Sequence, residues 1–316
     1  MMRLRRFVEM TLLLGPVAAC GRFSSTSIPA PRLWYLASPS STANAQGASD
    51  SSLTRSGALI VLDSASLRPV LQTAGEGVAT FTNYQGARYH PEAVRAIAEE
   101  PSVIDTLSLS VAVMASSGGG LLLDFQELSP VDLPRLIELV RGIANTHRRQ
   151  SGSPFGILVP AGDTLAYPAT LLARVADFVV IRLGIEHRPG TPPGPLATPE
   201  FIRRELGSRA TGLGATRLGA EFPLYGYMWN RNGTARAITY REANTLVLRE
   251  ALSFRRDQAS QFLTAAGRDG WTIWIPDAQT VRTMIAAAQS RGVNVIALTG
   301  LSGADPVIAR GALLRR

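Results

Sequence analysis

Gly120-Leu121-Leu122-Leu123-Asp124-Phe125-Gln126-Glu127-Leu128 runs from a glycine turn through unbroken apolar residues to a short polar end. A strand with one wet face would alternate apolar and polar side chains. A continuous apolar run bounded by glycine is what a parallel strand covered on both faces requires. Similar runs occur before it at Leu33-Ser38, Ala58-Asp63 and Val78-Tyr84, and after it at Phe155-Pro160, Asp177-Leu183, Leu218-Leu224 and Val293-Thr299. Amphipathic stretches lie between them: Pro91-Glu99, Val131-Arg148, Thr198-Leu206, Tyr240-Ala265 and Ala278-Arg291, with Pro or Asp/Ser near their starts. Strands alternating with helices over residues 33–316 predict an α/β fold, a single (β/α)8 TIM barrel. Trp271-Ile275 falls between the seventh and eighth strands and reads as a small insertion, a strand or hairpin element. A doubly wound open sheet would need a glycine-rich phosphate loop after its first strand. Gly118-Gly119-Gly120 instead precedes a strand and is a turn.

Composition narrows the chemistry. With 316 residues, 46% hydrophobic and 18% charged, the chain is globular rather than disordered, collagenous or coiled-coil. One Cys and three His exclude a disulfide framework and a Cys/His-rich metal site, so no metal or cofactor is expected. The formal charge of +8 is carried by Arg alone, and the arginines are scattered rather than gathered in a stripe, which argues against nucleic acid as a partner.

The first residues read as an address. Arg3, Arg5 and Arg6 form a positive region, Phe7-Ala19 a short apolar one interrupted by Glu9, and Val17-Ala18-Ala19 places small residues before Cys20. The apolar stretch is shorter than the ~20 residues that span a bilayer. The segment resembles a bacterial lipoprotein signal, which implies removal of residues 1–19 and a lipid on Cys20. Residues 20–32 then form a flexible Ser/Thr/Pro-rich tether. Gly21 after the Cys, rather than Asp, leans by the same resemblance towards the outer membrane and a periplasmic face of the cell envelope.

Residues 120–128 also resemble the fourth strand of glycoside hydrolase family 18, the chitinase-like barrels that include spore and peptidoglycan hydrolases. Thr82-Asn83-Tyr84, Gly219-Trp229, Trp274-Ala278 and Leu301-Pro306 resemble, in order, that family's third strand, seventh strand, W-x-E-D-A segment and closing L-G-G-E-D-P. The resemblance implies a catalytic D-x-D-x-E motif in which the Glu protonates the glycosidic oxygen and the substrate's own N-acetyl group attacks. With Asp124 on the last motif Asp, the donor position is Gln126 and the earlier Asp is Leu122. The family's N-acetyl-holding Tyr aligns with Gly184, and the Trp that floors its sugar site aligns with Thr299.

An amide cannot replace a carboxylic acid as proton donor, a role worth ~10²–10⁴-fold. The resemblance therefore implies a chitinase-like pseudoenzyme that binds an N-acetylglucosamine-containing glycan, peptidoglycan or an exported polysaccharide, without cutting it. Two alternatives stay open: a glycosidase with Glu127 or Glu221 as a rearranged acid, and a protein-binding scaffold. Glu127 follows Gln126, and strand alternation turns it away from Asp124 unless a bulge intervenes. Tyr84, Tyr225, Trp229 and Trp274 are the candidate sugar-facing aromatics. Arg182 and Glu221 stand where the family carries an inward-pointing Met and a small Gly, which implies inward side chains on neighbouring strands ~4.8 Å apart. A lone charge there would cost several kcal/mol, so they are expected as a buried ion pair that fills the deepest part of the pocket, with Asp124 also within reach of Arg182.

Overall fold

The computed structural model describes residues 32–37, 57–116 and 118–313. The signal-like segment, Cys20 and the tether as far as residue 31 lie outside the described residues.

All eight apolar runs form strands. β1 (Arg32–Leu36) and β2 (Gly57–Asp63) are followed by β3 (Arg68–Glu76), β4 (Ala79–Thr82) and a small hairpin of β5 (Tyr84–Gln85) and β6 (Arg88–Tyr89). Helices α1 (Pro91–Ala98) and α2 (Pro101–Met114) lead to β7 (Leu121–Asp124), and α3 (Leu133–Ser151) leads to β8 (Phe155–Pro160). The single turn α4 (Ala169–Leu172) precedes β9 (Phe178–Arg182), and α5 (Pro199–Leu213) precedes β10 (Leu218–Pro223). Next come β11 (Tyr225–Trp229), β12 (Ala235–Thr239), α6 (Tyr240–Arg249), β13 (Arg255–Arg256), β14 (Leu263–Ala266) and β15 (Thr272–Ile275). α7 (Ala278–Gln289), β16 (Val295–Thr299) and α8 (Pro306–Ala309) follow.

The main sheet has nine strands in the order β1-β16-β10-β9-β8-β7-β4-β2-β3, and every neighbouring pair except β2–β3 is parallel. The eight parallel strands follow the cyclic order of a barrel, but β3 occupies the second edge of β2. Among the described residues no ladder joins β2 to β1, although the two come within contact distance. The architecture is therefore a curled, parallel-rich α/β sheet rather than a demonstrated closed (β/α)8 ring. β3 also corrects the expected alternation, because the link from β2 to β4 runs through an antiparallel strand and not a helix.

Side-chain parity sorts the apolar residues into two layers. Trp34, Leu36, Leu122, Leu158, Val180 and Ala297 pack together on one side of the sheet. Leu121, Leu123, Ile157, Val179 and Ile181 face the helices with Leu139, Val140 and Ile202. Asp124 shares the parity of Leu122, which directs it to the concave side with the inner cluster.

Three sequence expectations need correction. The insertion before the last barrel strand is not small: β11 to β15 form a separate antiparallel sheet, ordered β12-β11-β15-β14-β13, with its own core of Ile238, Val247, Ile273 and Ile275. Tyr225-Trp229 therefore belongs to this inserted sheet and does not continue the seventh strand. The helix expected over Tyr240-Ala265 stops at Arg249 and gives way to β13 and β14. Its start is set by a capping box, in which Thr239 accepts from the Glu242 N–H and the Glu242 carboxylate accepts from the Thr239 N–H. The helix Pro101–Met114 was not legible, because its apolar residues surround it instead of marking one face: Leu107 and Val111 are buried while Leu109 and Val113 are exposed.

Candidate functional site

The C-terminal ends of the parallel strands surround an open cavity of about 600 Å³. Its floor carries charge. Asp124 at the end of β7, Arg182 at the end of β9 and Glu221 on β10 are all largely buried, with side-chain exposures of 5%, 19% and 4%.

Arg182 and Glu221 are register partners on adjacent strands, and Arg182 Nε lies 3.7 Å from Glu221 Oε2. The shorter contact of Arg182 is elsewhere: Nη2 donates to Asp124 Oδ2 at 2.9 Å, across β8. Nη1 donates to the Tyr89 hydroxyl at 2.7 Å. The expected pair is thus one edge of a network centred on the guanidinium, and the network lines the cavity without filling it. Burial pushes the Glu221 carboxyl above the usual carboxylate range, an effect that Arg182 and the hydrogen bond donated by Thr299 only partly offset. For Arg182, burial works against the charged form, but the carboxylates of Asp124 and Glu221 and the hydrogen bond to Asp124 outweigh it and hold the guanidinium even more firmly protonated than usual. Burial likewise raises the Tyr89 hydroxyl, so it is neutral at physiological pH.

Gln126 is held from several directions. Its Nε2 donates to Asp124 Oδ1 at 2.7 Å and to the Leu158 carbonyl at 3.0 Å, so both amide hydrogens are engaged. Its backbone is clamped by buried Asn83, whose Nδ2 donates to the Gln126 carbonyl at 3.1 Å while its Oδ1 accepts the Gln126 N–H at 3.0 Å. Thr82, the register partner of Asp124, donates its hydroxyl towards Asp124 Oδ2 at 3.4 Å.

Glu127 departs from the strand-alternation argument, because β7 ends at Asp124. Its φ of 60° is left-handed, a conformation uncommon for a residue with a side chain, and the exposed carboxylate stands at the cavity rim. Gly184 also lines the cavity. A Cβ there would fall 2.3 Å from Pro223 Cγ, so a side chain at this position requires Pro223 to move.

The aromatic candidates divide. Tyr84 and Tyr225 line the cavity. Trp229 does not: it is 1% exposed, and its Nε1 donates to the Thr191 carbonyl at 3.1 Å. Trp274 lies on β15 and packs against the main core instead of facing the cavity. Their indoles are used as apolar bodies with, for Trp229, one buried donor satisfied. Sequence reasoning missed Tyr89, Tyr167 and Tyr227, which do line the cavity. Tyr89 meets Tyr84 edge to face at 5.0 Å through the β5–β6 hairpin, and Tyr227 meets Tyr225 in the same way at 5.9 Å on β11. For Tyr227 a signal existed in the i, i+2 spacing from Tyr225. For Tyr89 there was none, since a two-residue strand has no periodicity. Among the described residues no group of three His, Cys, Asp or Glu side chains could hold a metal ion.

No protein-family model matches the chain. It is 25% identical over 244 residues to YdhD of Bacillus subtilis (strain 168), whose name describes a sporulation-specific glycosylase; the match takes in 69% of this chain and 56% of that protein, so the chain spans about half the length of this relative. The crystal structure of YdhD superposes with a TM-score of 0.60 at 23% identity, covering 70% of this chain and 79% of that one. The spore cortex-lytic enzyme SleL of Bacillus cereus gives a TM-score of 0.70 at 17% identity over 88% of this chain and 72% of that one. A Glu-to-Gln mutant of a class V chitinase from Nicotiana tobaccum, solved in complex with NAG4, gives 0.68 at 18% identity over 90% of this chain and 98% of that one. The structural neighbours are thus chitinases and spore cortex-lytic enzymes, a likeness of fold at these identities.

Proposed function

We propose that this chain is a chitinase-like, glycan-binding domain of the cell envelope that does not hydrolyse glycosidic bonds through a general acid at Gln126. The observation that carries this reading is the amide of Gln126, buried beside Asp124 with both hydrogens donated to protein acceptors. A carboxamide has no proton acidic enough to pass to a leaving oxygen, and a positioned acid contributes ~10²–10⁴-fold. Glu221, the second carboxyl at the floor, is held by Arg182 and Thr299 and is not free to swing towards a bond in the mouth. The cavity keeps what binding needs: room, five tyrosine rings in Tyr84, Tyr89, Tyr167, Tyr225 and Tyr227, and convergent polar groups. The chitinase mutant with Gln for Glu, solved in complex with NAG4, supports the idea that this substitution and glycan binding are compatible.

The test is calorimetric titration of the N-acetylglucosamine tetramer, paired with an assay for its cleavage. Binding without turnover is expected, and Tyr227→Ala should weaken binding by roughly tenfold, a loss of ~1.4 kcal/mol. Gln126→Glu should add little hydrolysis, because the positions that align with the family's N-acetyl-holding Tyr and sugar-flooring Trp are Gly184 and Thr299. Turnover by the unaltered protein that disappears in Glu127→Gln would assign it instead as a glycosidase with the acid at the rim. Absence of any glycan binding would leave a scaffold role.

Attachment to the envelope belongs to the same proposal. It is supported by the charged start, the short apolar stretch and Cys20, the chain's single cysteine. Exchanging Cys20 for Ser should move the protein from the membrane to the soluble fraction. Retention of that variant on membranes would defeat the anchoring claim.

A further inference from the structure

The chain is strongly basic, with 32 arginines against 24 acidic residues, yet the ionisable groups of the cavity wall run the other way. Four carboxyl groups, from Asp124, Glu127, Asp163 and Glu221, face two guanidiniums, from Arg182 and Arg188. Arg188 is exposed on a rim loop. At the floor a single guanidinium stands 2.9 Å from Asp124 and 3.7 Å from Glu221, so one cation is shared between two acids. Glu127 makes no ion pair among the described residues and projects from a left-handed residue at the rim.

A second observation points to a polar ligand. Thr80 is 3% exposed, lies in the cavity wall two residues before Thr82, and its hydroxyl has no hydrogen-bond partner among the described residues. A buried hydroxyl without a partner costs free energy that an incoming donor or acceptor removes.

We infer that the cavity recognises a glycan whose sugars carry unsubstituted, protonated amino groups, glucosamine rather than N-acetylglucosamine units. The inference rests on reading the cavity as a glycan site and names the class of sugar it favours. A cleft with surplus acid concentrates field lines and attracts cations. Tyrosine rings favour an ammonium group over a neutral amide through cation–π attraction. The scattered arginines repel a cationic glycan elsewhere on the surface, so attraction is confined to the cavity. A polycation that bound anywhere on this chain would bind here.

The experiment titrates the full chain with the glucosamine tetramer and, separately, with the N-acetylglucosamine tetramer, at low and high salt. The glucosamine tetramer should bind about tenfold tighter at low salt, and the preference should shrink at ~0.5 M salt as the Debye length falls. Glu127→Gln should reduce the ratio of the two affinities by about threefold, the size of one partly exposed charge pair. Equal affinities, or a preference for the acetylated tetramer, would overturn the amine selectivity while leaving a glycan-binding cavity. No binding of either tetramer would remove the glycan reading together with it. Peptidoglycan sacculi and a linear poly-N-acetylglucosamine, each compared before and after N-deacetylation, distinguish the two sources of such an amine. Retention that rises on deacetylation of either one supports the inference, and no rise with both contradicts it.

Discussion

Arg182→Met should lower the unfolding free energy by about 3–5 kcal/mol, the usual cost of removing one partner from a buried ionic network. The fall in Tm should be on the order of 10 °C. Methionine preserves much of the side-chain volume, so the loss would come from Asp124 and Glu221, two buried carboxyls left without a cation. From sequence alone the natural rescue is Glu221→Gly, on the idea that Arg182 and Glu221 form a closed pair. The structure shifts the expectation. The short contact of the guanidinium is to Asp124, so Arg182→Met combined with Asp124→Asn should recover more stability than Arg182→Met combined with Glu221→Gly. Equal recovery by the two double variants, or a fully additive loss in both, would contradict a network centred on Asp124.

The same variant should show a pH dependence of definite sign. Burial raises the Glu221 carboxyl above its usual range. The native state therefore holds this proton more tightly than the unfolded chain does. Its contribution to stability is fully present below the unfolded value, near pH 4, and is lost as pH rises through the raised one. Without Arg182 to oppose it, the rise becomes larger. The stability gap between the parent and Arg182→Met should therefore narrow from neutral pH towards pH ~4.5, where a protonated Glu221 no longer needs the guanidinium. Chemical denaturation at the two pH values measures that gap.

Gly226→Ala is expected to cost about 3 kcal/mol or more, a large value for one added methyl group. A Cβ at this position would lie 1.9 Å from the Trp274 carbonyl oxygen and 2.9 Å from Ile275 Cα, both backbone atoms of the strand that β11 pairs with. Backbone in a ladder cannot step aside as a flexible side chain can, so β11 and β15 must separate. Because Tyr225 and Tyr227 flank Gly226 and form part of the cavity wall, glycan affinity should fall at least tenfold along with stability. Gly119→Ala is the control, since none of the described residues lies within 4 Å of a Cβ built there. A Gly226→Ala protein within 1 kcal/mol of the parent would show that the inserted sheet can slide to accommodate the methyl group.

Parts of this architecture can be traced to particular residues. The runs around Leu59-Leu62, Leu121-Leu123, Val179-Ile181 and Ile296-Leu298 are apolar without alternation because both faces of those strands are buried, and all were legible. The period of two then placed Asp124 on the concave side and put Arg182 beside Glu221, since both inferences need only parity and strand adjacency. Trp229 was misplaced because the break between β10 and β11 falls inside one apolar run, Phe222-Trp229, and hydrophobicity does not mark where a chain leaves one sheet for another.

By itself, then, the sequence determined the eight parallel strands of the curled sheet, the amide at Gln126 and the presence of charged residues at the strand ends. Those features follow from local periodicity and residue chemistry. The tertiary structure alone decided that β3 takes the open edge of β2, that Arg182 reaches first to Asp124 across β8, and that Tyr89 and Tyr227 rather than Trp229 and Trp274 face the cavity. Each of these depends on sheet curvature and on contacts between residues far apart in the chain. No local pattern encodes them, because a side chain's reach is set by where distant backbone segments have folded.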